Sequence, residues 1–208
     1  KKINGEIVSA DPMQIYQEMN IGTAKPTAEE MQGIPHYMID CISPEQRFSV
    51  ADYKKLAKQA IRKIIEKGKF PIVVGGTGLY IDSLIYEIEY PNIEFDEEYR
   101  KLLEKKVQEE GLESLYQEAK KIDEKAVQKI SQHDQKRILR ILEIYHATGK
   151  TKTQQEEESR RKETEFDYYV YALHWERDIL YDRINKRVDI MLQQGLVQEV
   201  QMILNKYS

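Results

Sequence analysis

The sequence predicts an α/β fold in which a parallel sheet flanked by helices is interrupted by an all-helical insertion. Two short apolar runs, Ile7-Val8 and Phe70-Pro71-Ile72-Val73-Val74, are typical of buried strands, and a long amphipathic segment separates them. Strand, helix and strand in this order form a crossover connection, which makes the two strands parallel. From residue 92 to residue 167 the chain is rich in Glu, Lys and Gln at helical spacing, and a strand-like run returns at residues 168–173.

The composition is that of a globular chain and excludes several classes of protein. Of the 208 residues, 40% are hydrophobic and 33% are charged, and no apolar run approaches the ~18 residues of a membrane span. Without a signal-peptide pattern the expected location is the cytoplasm, and a monomer is the default expectation. The single cysteine, Cys41, excludes an internal disulfide and a cysteine-based zinc site. The net charge of −4 neither requires nor forbids a nucleic-acid partner, because counterion release depends on the charges at the contact.

The first predicted strand ends at a carboxylate. Asp11 follows Ile7-Val8 closely, and Pro12 comes directly after it. Proline cannot donate to a sheet ladder and restricts the residue before it, so the strand is expected to end there. Open α/β sheets place their ligands at the carboxyl ends of the strands. Asp11 is therefore a candidate functional residue.

Capping patterns place two helices in the first half of the chain. Thr27 with Glu30 three residues later, and Ser49 with Asp52, are the N-cap pairs that begin them. Apolar residues then recur at helical spacing after Ser49, which predicts the long crossover helix. Between the two helices, residues 37–40 form a short strand-like run.

The second predicted strand ends in the glycine-rich turn Gly75-Gly76-Thr77-Gly78, and a helix is expected to start near Leu79. Exposed amides in such a turn, together with a helix N-terminus, attract an anion or let another backbone approach closely. A tight structural turn explains the glycines equally well. Since Asp11 ends a neighbouring strand, the two features together predict one shared crevice.

The insertion is predicted to be entirely helical. Glycine or aspartate residues separate its amphipathic segments, which supports several short helices rather than one long one. The last charged stretch, residues 154–162, is either a hinge or a solvated helix. The four predicted helices span residues 96–110, 112–122, 123–130 and 134–148.

Two helices carry arginine pairs that could bind phosphate. On the helix after Asp134, Arg137 and Arg140 are three residues apart and so point the same way. Such a pair is either a solvated face or a phosphate contact. After the strand-like run at residues 168–173, Arg183 and Arg187 are four apart on one helix, whose first turns should border the crevice of Asp11.

Several motifs resemble those of the tRNA dimethylallyltransferases, also called tRNA isopentenyltransferases. The resemblance runs in order along essentially the whole chain, and the block from Asp11 to Lys25 and the glycine-rich block are each specific to the family. The matching runs are Ser9-Ala10-Asp11-Pro12-Met13-Gln14-Ile15-Tyr16, Ile21-Gly22-Thr23-Ala24-Lys25-Pro26, Phe48-Ser49-Val50-Ala51-Asp52, Val74-Gly75-Gly76-Thr77-Gly78-Leu79-Tyr80, Asp134-Gln135-Lys136-Arg137, Arg140-Ile141-Leu142-Glu143, Gly149-Lys150-Thr151 and Arg183-Ile184-Asn185-Lys186-Arg187-Val188.

The resemblance implies a P-loop-NTPase-like α/β core, residues 1–91 and 168–208, and a helical insertion domain, residues 92–167, that contacts the anticodon stem-loop of tRNA. It implies transfer of a dimethylallyl group from dimethylallyl diphosphate, with Mg²⁺, to the exocyclic amine of the adenine 3′-adjacent to the anticodon. That adenine would be flipped out of its stack.

The resemblance also implies roles for individual residues. Asp11 occupies the position of the general base, where a carboxylate can accept the amine proton. Arg183 and Arg187 match arginines near the diphosphate, and no residue is matched to a protein-bound metal. The positions implied to contact tRNA are Asp11, Pro12, Met13, Gln14, Thr77, Arg100, Lys136, Arg137, Ile138, Leu139 and Arg140.

The chain departs from the family pattern at three places. The family's phosphate-binding loop, which should precede the first strand, is absent, and so is the C-terminal part that completes the tRNA contact. Pro12 stands where the family usually has serine, so a hydroxyl is replaced by a ring without a donor. We expect the polypeptide as printed to be inactive, and the assigned reaction belongs to the complete protein.

Three other functions are open at this point. A nucleotide kinase shares the sheet and a helical lid, and an adenylate prenyltransferase would act on a free nucleotide. The insertion helix with Lys136, Arg137 and Arg140 favours a polynucleotide over both. A non-catalytic RNA-binding remnant would explain the missing loop directly.

Overall fold

The computed structural model describes residues 1–88, 90, 96–159 and 163–207, and it contains a parallel three-stranded sheet. The central strand β1 (Gly5–Ser9) pairs with β2 (His36–Tyr37) on one side and with β3 (Phe70–Val74) on the other. Ile7 lies opposite His36 in β2 and Ile72 in β3. The α/β class with a parallel sheet is therefore confirmed, although β2 is shorter than the predicted run at residues 37–40.

The predicted caps begin the first helices. The Ser49 hydroxyl accepts from the Asp52 N–H, while the Asp52 carboxylate accepts from the Ser49 N–H. Thr27 and Glu30 exchange the same two bonds. The ten helices of the described residues are α1 (Ala28–Met31), α2 (Val50–Glu66), α3 (Gly78–Ile85), α4 (Glu97–Glu110), α5 (Leu112–Ile122), α6 (Glu124–Val127), α7 (Gln135–Thr148), α8 (Lys152–Ser159), α9 (Arg177–Gln193) and α10 (Leu196–Tyr207).

One hydrophobic core joins the sheet to α2 and α3. The inner face of α2 is buried, and the ring of Tyr53 stacks on Tyr80 of α3 with 3.9 Å between the ring centroids. Val8 of β1 and Ile15 of the following loop complete this core and are almost fully buried. The packing fixes the carboxyl ends of β1 and β3, from which the candidate site is built. None of the helices described is long and apolar enough to cross a membrane.

The chain divides into two compact units, which we call the core unit (Lys1–Ile85 with Glu165–Ser208) and the helical unit (Tyr86–Thr164). The helical unit has its own core, which includes Leu103 of α4, Leu115 of α5 and Leu142 of α7. The first predicted boundary, at residues 91 and 92, lies outside the described residues. The helical unit ends at Thr164, shortly before the predicted end at residue 167. Of the charged stretch at residues 154–162, the described part belongs to α8.

The prediction of a strand at residues 168–173 is wrong, because this segment has no regular secondary structure. Its aromatic and β-branched residues favour an extended backbone, but a strand also needs a neighbouring strand to bond to. Among the described residues, none of the three strands pairs with this segment. Its apolar side chains are correspondingly exposed, Tyr171 and Leu173 most of all.

Candidate active site

The candidate site lies where β1 and β3 end side by side. The Ala10 N–H donates to the Val74 carbonyl at 2.7 Å, which continues the pairing one residue beyond β1. At Gly75 an added Cβ would lie 2.3 Å from the Ala10 carbonyl oxygen, so only glycine permits this approach of the two backbones. Asp11 follows Ala10 directly and is held at the edge of the sheet by this contact.

The Asp11 carboxylate is oriented by the turn that it begins. Its Oδ1 accepts from the backbone N–H groups of Met13 at 2.8 Å and Gln14 at 3.1 Å. No hydrogen bond from a described residue reaches its Oδ2. Aspartate commonly bonds to backbone amides two or three residues later, and Pro12 supplies the fixed φ of such a turn. One carboxylate oxygen is thus fixed and the other is available to a ligand.

The side chain of Gln14 is engaged by the protein itself. Its Nε2 donates to the carbonyls of Thr23 at 3.2 Å and Ala24 at 3.3 Å, and its Oε1 accepts from the Ser9 hydroxyl at 3.1 Å. Gln14 therefore connects the end of β1 to the loop that follows. Met13, by contrast, is 44% exposed, and its side chain offers an apolar surface to a ligand.

The glycine-rich turn presents an open face. Cβ atoms added at Gly76 or Gly78 would meet no atom within 4 Å, and neither residue has a positive φ. Unlike Gly75, these two glycines are not required by the packing of the described residues. Thr77 lies at the start of α3, where its carbonyl accepts from the N–H groups of Tyr80 and Ile81. Its own hydroxyl makes no hydrogen bond within the described part of the chain.

Lys25 organises the loop after Asp11, a role that the residue pattern alone did not predict. Its ammonium donates to the Tyr16 carbonyl at 2.8 Å, the Asn20 side chain at 3.0 Å and the Asp40 carboxylate. The side chain is only 4% exposed. The Gly22-Thr23-Ala24-Lys25-Pro26 run resembles a family motif and so pointed to Lys25. A sequence pattern does not show, however, that its ammonium is buried.

Arg183 and Arg187 lie on α9 and make no hydrogen bond or ion pair with Asp11 or the glycine-rich turn among the described residues. The guanidinium of Arg183 lies over the Trp175 ring, 4.7 Å from its centroid. The pKa of Glu30 is below its ordinary value, first because Thr27 donates to its carboxylate and also because the positive charge of Arg187 is near. Their expected place beside the crevice depended on the strand at residues 168–173, which does not form. Their diphosphate role stays a prediction.

The helical unit carries an exposed cationic face on α7, formed by Lys136, Arg137 and Arg140. Arg137 lies 3.3 Å from Asp134 with a side chain that is 68% exposed, and Arg140 lies 3.5 Å from Glu143. Both pairs are long and the two arginine side chains are themselves exposed, so both arginines remain accessible to another anion.

The structure separates Ile138 and Leu139 from this face. Both side chains are completely buried in the core of the helical unit, and the tRNA contact that the resemblance implied for them stays a prediction. The reason for their burial is the helical period, since residues between exposed positions of an amphipathic helix turn toward its packed side. Arg100 is half-buried and bonds to Glu104 and Glu143 at 2.8 Å each. Its charge is therefore largely balanced within the unit.

The described residues contain no group of three or more His, Cys, Asp or Glu side chains that could hold a metal ion. Asp11 alone supplies too few oxygens for an all-protein Mg²⁺ site, so a Mg²⁺ ion would be held mainly by phosphate oxygens and water.

Comparison with known proteins places the chain in a family. Residues 14–208 match the family model described as IPP transferase. The tRNA dimethylallyltransferase of Acetivibrio thermocellus is 50% identical over 204 residues, 98% of this chain and 65% of that protein. The chain therefore spans about two thirds of the length of this curated relative.

Solved structures of similar proteins support the same family. The tRNA delta(2)-isopentenylpyrophosphate transferase of Staphylococcus epidermidis is 40% identical, with a TM-score of 0.61 over 99% of this chain and 66% of that one. A eukaryotic dimethylallyltransferase described as acting on tRNA is 30% identical, with a TM-score of 0.81 over the whole of this chain and 51% of that one. The predicted P-loop-like fold class is confirmed by these neighbours, and the chain belongs to the IPP transferase family.

Proposed function

We propose that the complete protein transfers a dimethylallyl group from dimethylallyl diphosphate to the exocyclic amine of the adenine 3′-adjacent to the anticodon in tRNA. Membership of the IPP transferase family supports the reaction class, and the names of the related proteins support tRNA as the substrate. The observation that carries the proposal is Asp11, whose carboxylate is held by two backbone amides through one oxygen while the other oxygen stays available.

Asp11 acts as the general base in this reaction. The amine nitrogen of the adenine attacks the first carbon of the dimethylallyl group, and the bond from that carbon to the diphosphate oxygen breaks. Diphosphate leaves with the bonding electron pair, and the amine proton passes to Asp11 Oδ2. A carboxylate that is already oriented by the chain contributes to such a step without reorganising during it.

The surroundings of Asp11 suit a flipped base. Met13 is exposed next to it and offers a polarisable apolar surface, while the half-buried Pro12 offers a rigid one. Gly76 and Gly78 leave open space where a Cβ would otherwise stand, which lets a ligand approach the backbone. The Thr77 hydroxyl is available to bond to it. Gln14 supports the site through the loop rather than by direct contact.

The cationic face of α7 binds phosphate groups of the tRNA. Lys136, Arg137 and Arg140 are all exposed. When such cations contact phosphate groups, the counterions condensed on the nucleic acid are released, which favours binding. Arg100 donates a hydrogen bond to Glu143 of α7. It contributes to tRNA binding mainly by supporting this helix. A tRNA substrate favours the cytoplasm as the place of reaction.

Arg183 and Arg187 supply positive charge to the diphosphate in the complete protein. Mg²⁺, when bound, offsets the charge that develops on the leaving diphosphate. Phosphate oxygens and water would hold the ion, and Oδ2 of Asp11 stays available to accept the amine proton.

The test is a transfer assay on the complete protein with labelled dimethylallyl diphosphate, offered unmodified tRNA in one reaction and free AMP in another. We expect label in tRNA only. Label in AMP would move the assignment to a nucleotide prenyltransferase. Label in neither, with tRNA still bound, would support a non-catalytic RNA-binding protein.

A further inference from the structure

A carboxylate from the last helix is bound by three consecutive backbone amides of the loop after Asp11. Glu199 of α10 accepts from the N–H groups of Asn20 at 2.9 Å and Ile21 at 2.8 Å through Oε2, and from the N–H of Gly22 at 2.9 Å through Oε1. Three successive amides directed at one anion form a strong binding arrangement, because each bond to a charged acceptor is stronger than a neutral one.

A second contact holds the same loop to α10. Lys206 and Tyr207 both donate to the carboxylate of Glu18, the tyrosine hydroxyl at 3.0 Å. Leu196 packs over Gly22 so closely that a Cβ there would lie 3.1 Å from its Cδ1. The α10 helix therefore contacts the loop at both ends of residues 18–22, but only Glu199 bonds to the backbone amides.

Hydrogen bonds connect these amides to the candidate base. The carbonyl groups of Asn20 and Ile21 are bonded as well. The Asn20 carbonyl accepts from the Lys25 N–H, and the Ile21 carbonyl accepts from the Ala24 N–H at 2.9 Å. The Ala24 carbonyl in turn accepts from the Gln14 side chain, and the Gln14 N–H donates to Asp11 Oδ1. The position of the Asp11 carboxylate thus depends on a loop whose conformation is held by Glu199.

We propose that Glu199 is a positioning residue, which fixes the loop of residues 20–24 and through Gln14 sets the orientation of the Asp11 carboxylate. The inference rests on the proposed function, in which Asp11 is the general base. Nothing in the residue pattern of α10 marks Glu199, because its partners lie at residues 20–22, far away in the sequence.

The test compares variants of the complete protein. Glu199→Ala removes the acceptor of all three amides, and Glu199→Gln keeps an oxygen on the same side chain but loses the charge. Gln201→Ala is the matched control on α10, since Gln201 bonds only to Asn205 of the same helix among the described residues. Lys206→Met removes a contact of α10 with Glu18 while leaving Glu199 in place.

The measurements are kcat and KM for unmodified tRNA, together with hydrogen exchange of the backbone amides. For Glu199→Ala we expect faster exchange at residues 20–22 and at Gln14, with kcat lowered roughly tenfold to a hundredfold. The KM for tRNA should stay within about twofold, because no contact with tRNA is removed. Glu199→Gln should recover part of kcat, and Gln201→Ala should match the wild type.

An unchanged kcat in Glu199→Ala would overturn the inference. So would a kcat loss in Lys206→Met as large as in Glu199→Ala, because that would indicate general docking of α10 instead. If the wild-type protein transfers no prenyl group, the proposed function fails, but the exchange measurement still decides this inference. Unchanged exchange at Gln14 in Glu199→Ala and Glu199→Gln would contradict the hydrogen-bonded connection by itself.

Discussion

Gly75 approaches Ala10 so closely that a Cβ on residue 75 would lie 2.3 Å from the Ala10 carbonyl oxygen and 2.8 Å from its Cα. The two residues extend β3 and β1, and the Ala10 N–H bonds to the carbonyl that precedes Gly75. This backbone contact decides where Asp11 begins its turn. The glycine-rich motif thus combines a residue required by the fold, Gly75, with two that the fold leaves free, Gly76 and Gly78.

Alanine substitutions should separate these two roles. We expect Gly75→Ala to lower the free energy of unfolding by about 1–3 kcal/mol, because the new methyl group would overlap backbone atoms that cannot move aside. Gly76→Ala should leave thermal stability nearly unchanged, since its Cβ would meet open space. If a ligand approaches this turn, Gly76→Ala should still slow prenyl transfer. Equal stability losses in the two variants would contradict the assignment.

The buried carboxylate of Glu6 should make stability depend on acid pH. Hydrogen bonds from Lys69, Tyr37 and Lys67 lower its pKa from 4.5 to about 2. Because the folded pKa is depressed, this contribution is fully present above the unfolded value of 4.5 and is lost as the pH falls toward 2. Urea unfolding between neutral pH and about pH 2 would show the decline.

Glu6→Gln is the control for that measurement. It should flatten the pH dependence in this window, while Glu113→Gln, on the exposed surface of α5, should not. A wild-type stability that is constant across the window would contradict the depressed pKa. Glu165, whose pKa is also lowered to about 2 by Arg62 and Lys58, contributes in the same direction and remains in both variants.

Lys25→Met should loosen the loop after Asp11. The substitution removes an ammonium that donates to three oxygens and leaves the Tyr16 carbonyl without that donor. We expect a loss of about 1–3 kcal/mol in the free energy of unfolding and faster amide exchange at Asn20. Lys186→Met, at an exposed ion pair on α9, is the matched control and should have little effect. A Lys25→Met variant as stable as the control would contradict the role of Lys25.

Arg137→Ala should weaken tRNA binding in a salt-dependent way. Removal of one phosphate contact should reduce the slope of log K against log salt by about 1. Filter binding or fluorescence titration of the complete protein at several salt concentrations measures this slope. Lys105→Ala, at an exposed residue of α4 paired with Glu109, is the control and should keep the wild-type slope. An unchanged slope in Arg137→Ala would remove this arginine from the interface.

Local patterns predicted the local structure well. Thr27 and Ser49 cap helices as expected, because a cap involves only residues within three positions of it. The ends of β1 and β3 were also predictable, since Pro12 and the glycine-rich turn interrupt their strands. Asp11 was found as a candidate from the same reasoning.

Interactions between distant residues were not predictable from the pattern. The segment at residues 168–173 has the composition of a strand, but strand formation depends on a neighbour that no local pattern can supply. The side chain of Gln14 bonds to carbonyls nine and ten residues away, which the pattern around Gln14 did not predict. Glu199 bonds to amides 177–179 residues earlier in the chain, so its role becomes visible only in the folded structure.

The most direct test of the central claim is single-turnover transfer of labelled dimethylallyl to unmodified tRNA by the complete Asp11→Asn protein. Asparagine keeps an oxygen that can accept from the amides of Met13 and Gln14, but it cannot take the amine proton. We expect transfer slower than wild type by roughly 10²- to 10⁴-fold. Affinity for tRNA should stay within about threefold, because the positively charged contacts are unchanged. Transfer at the wild-type rate would contradict the assignment of Asp11 as the general base.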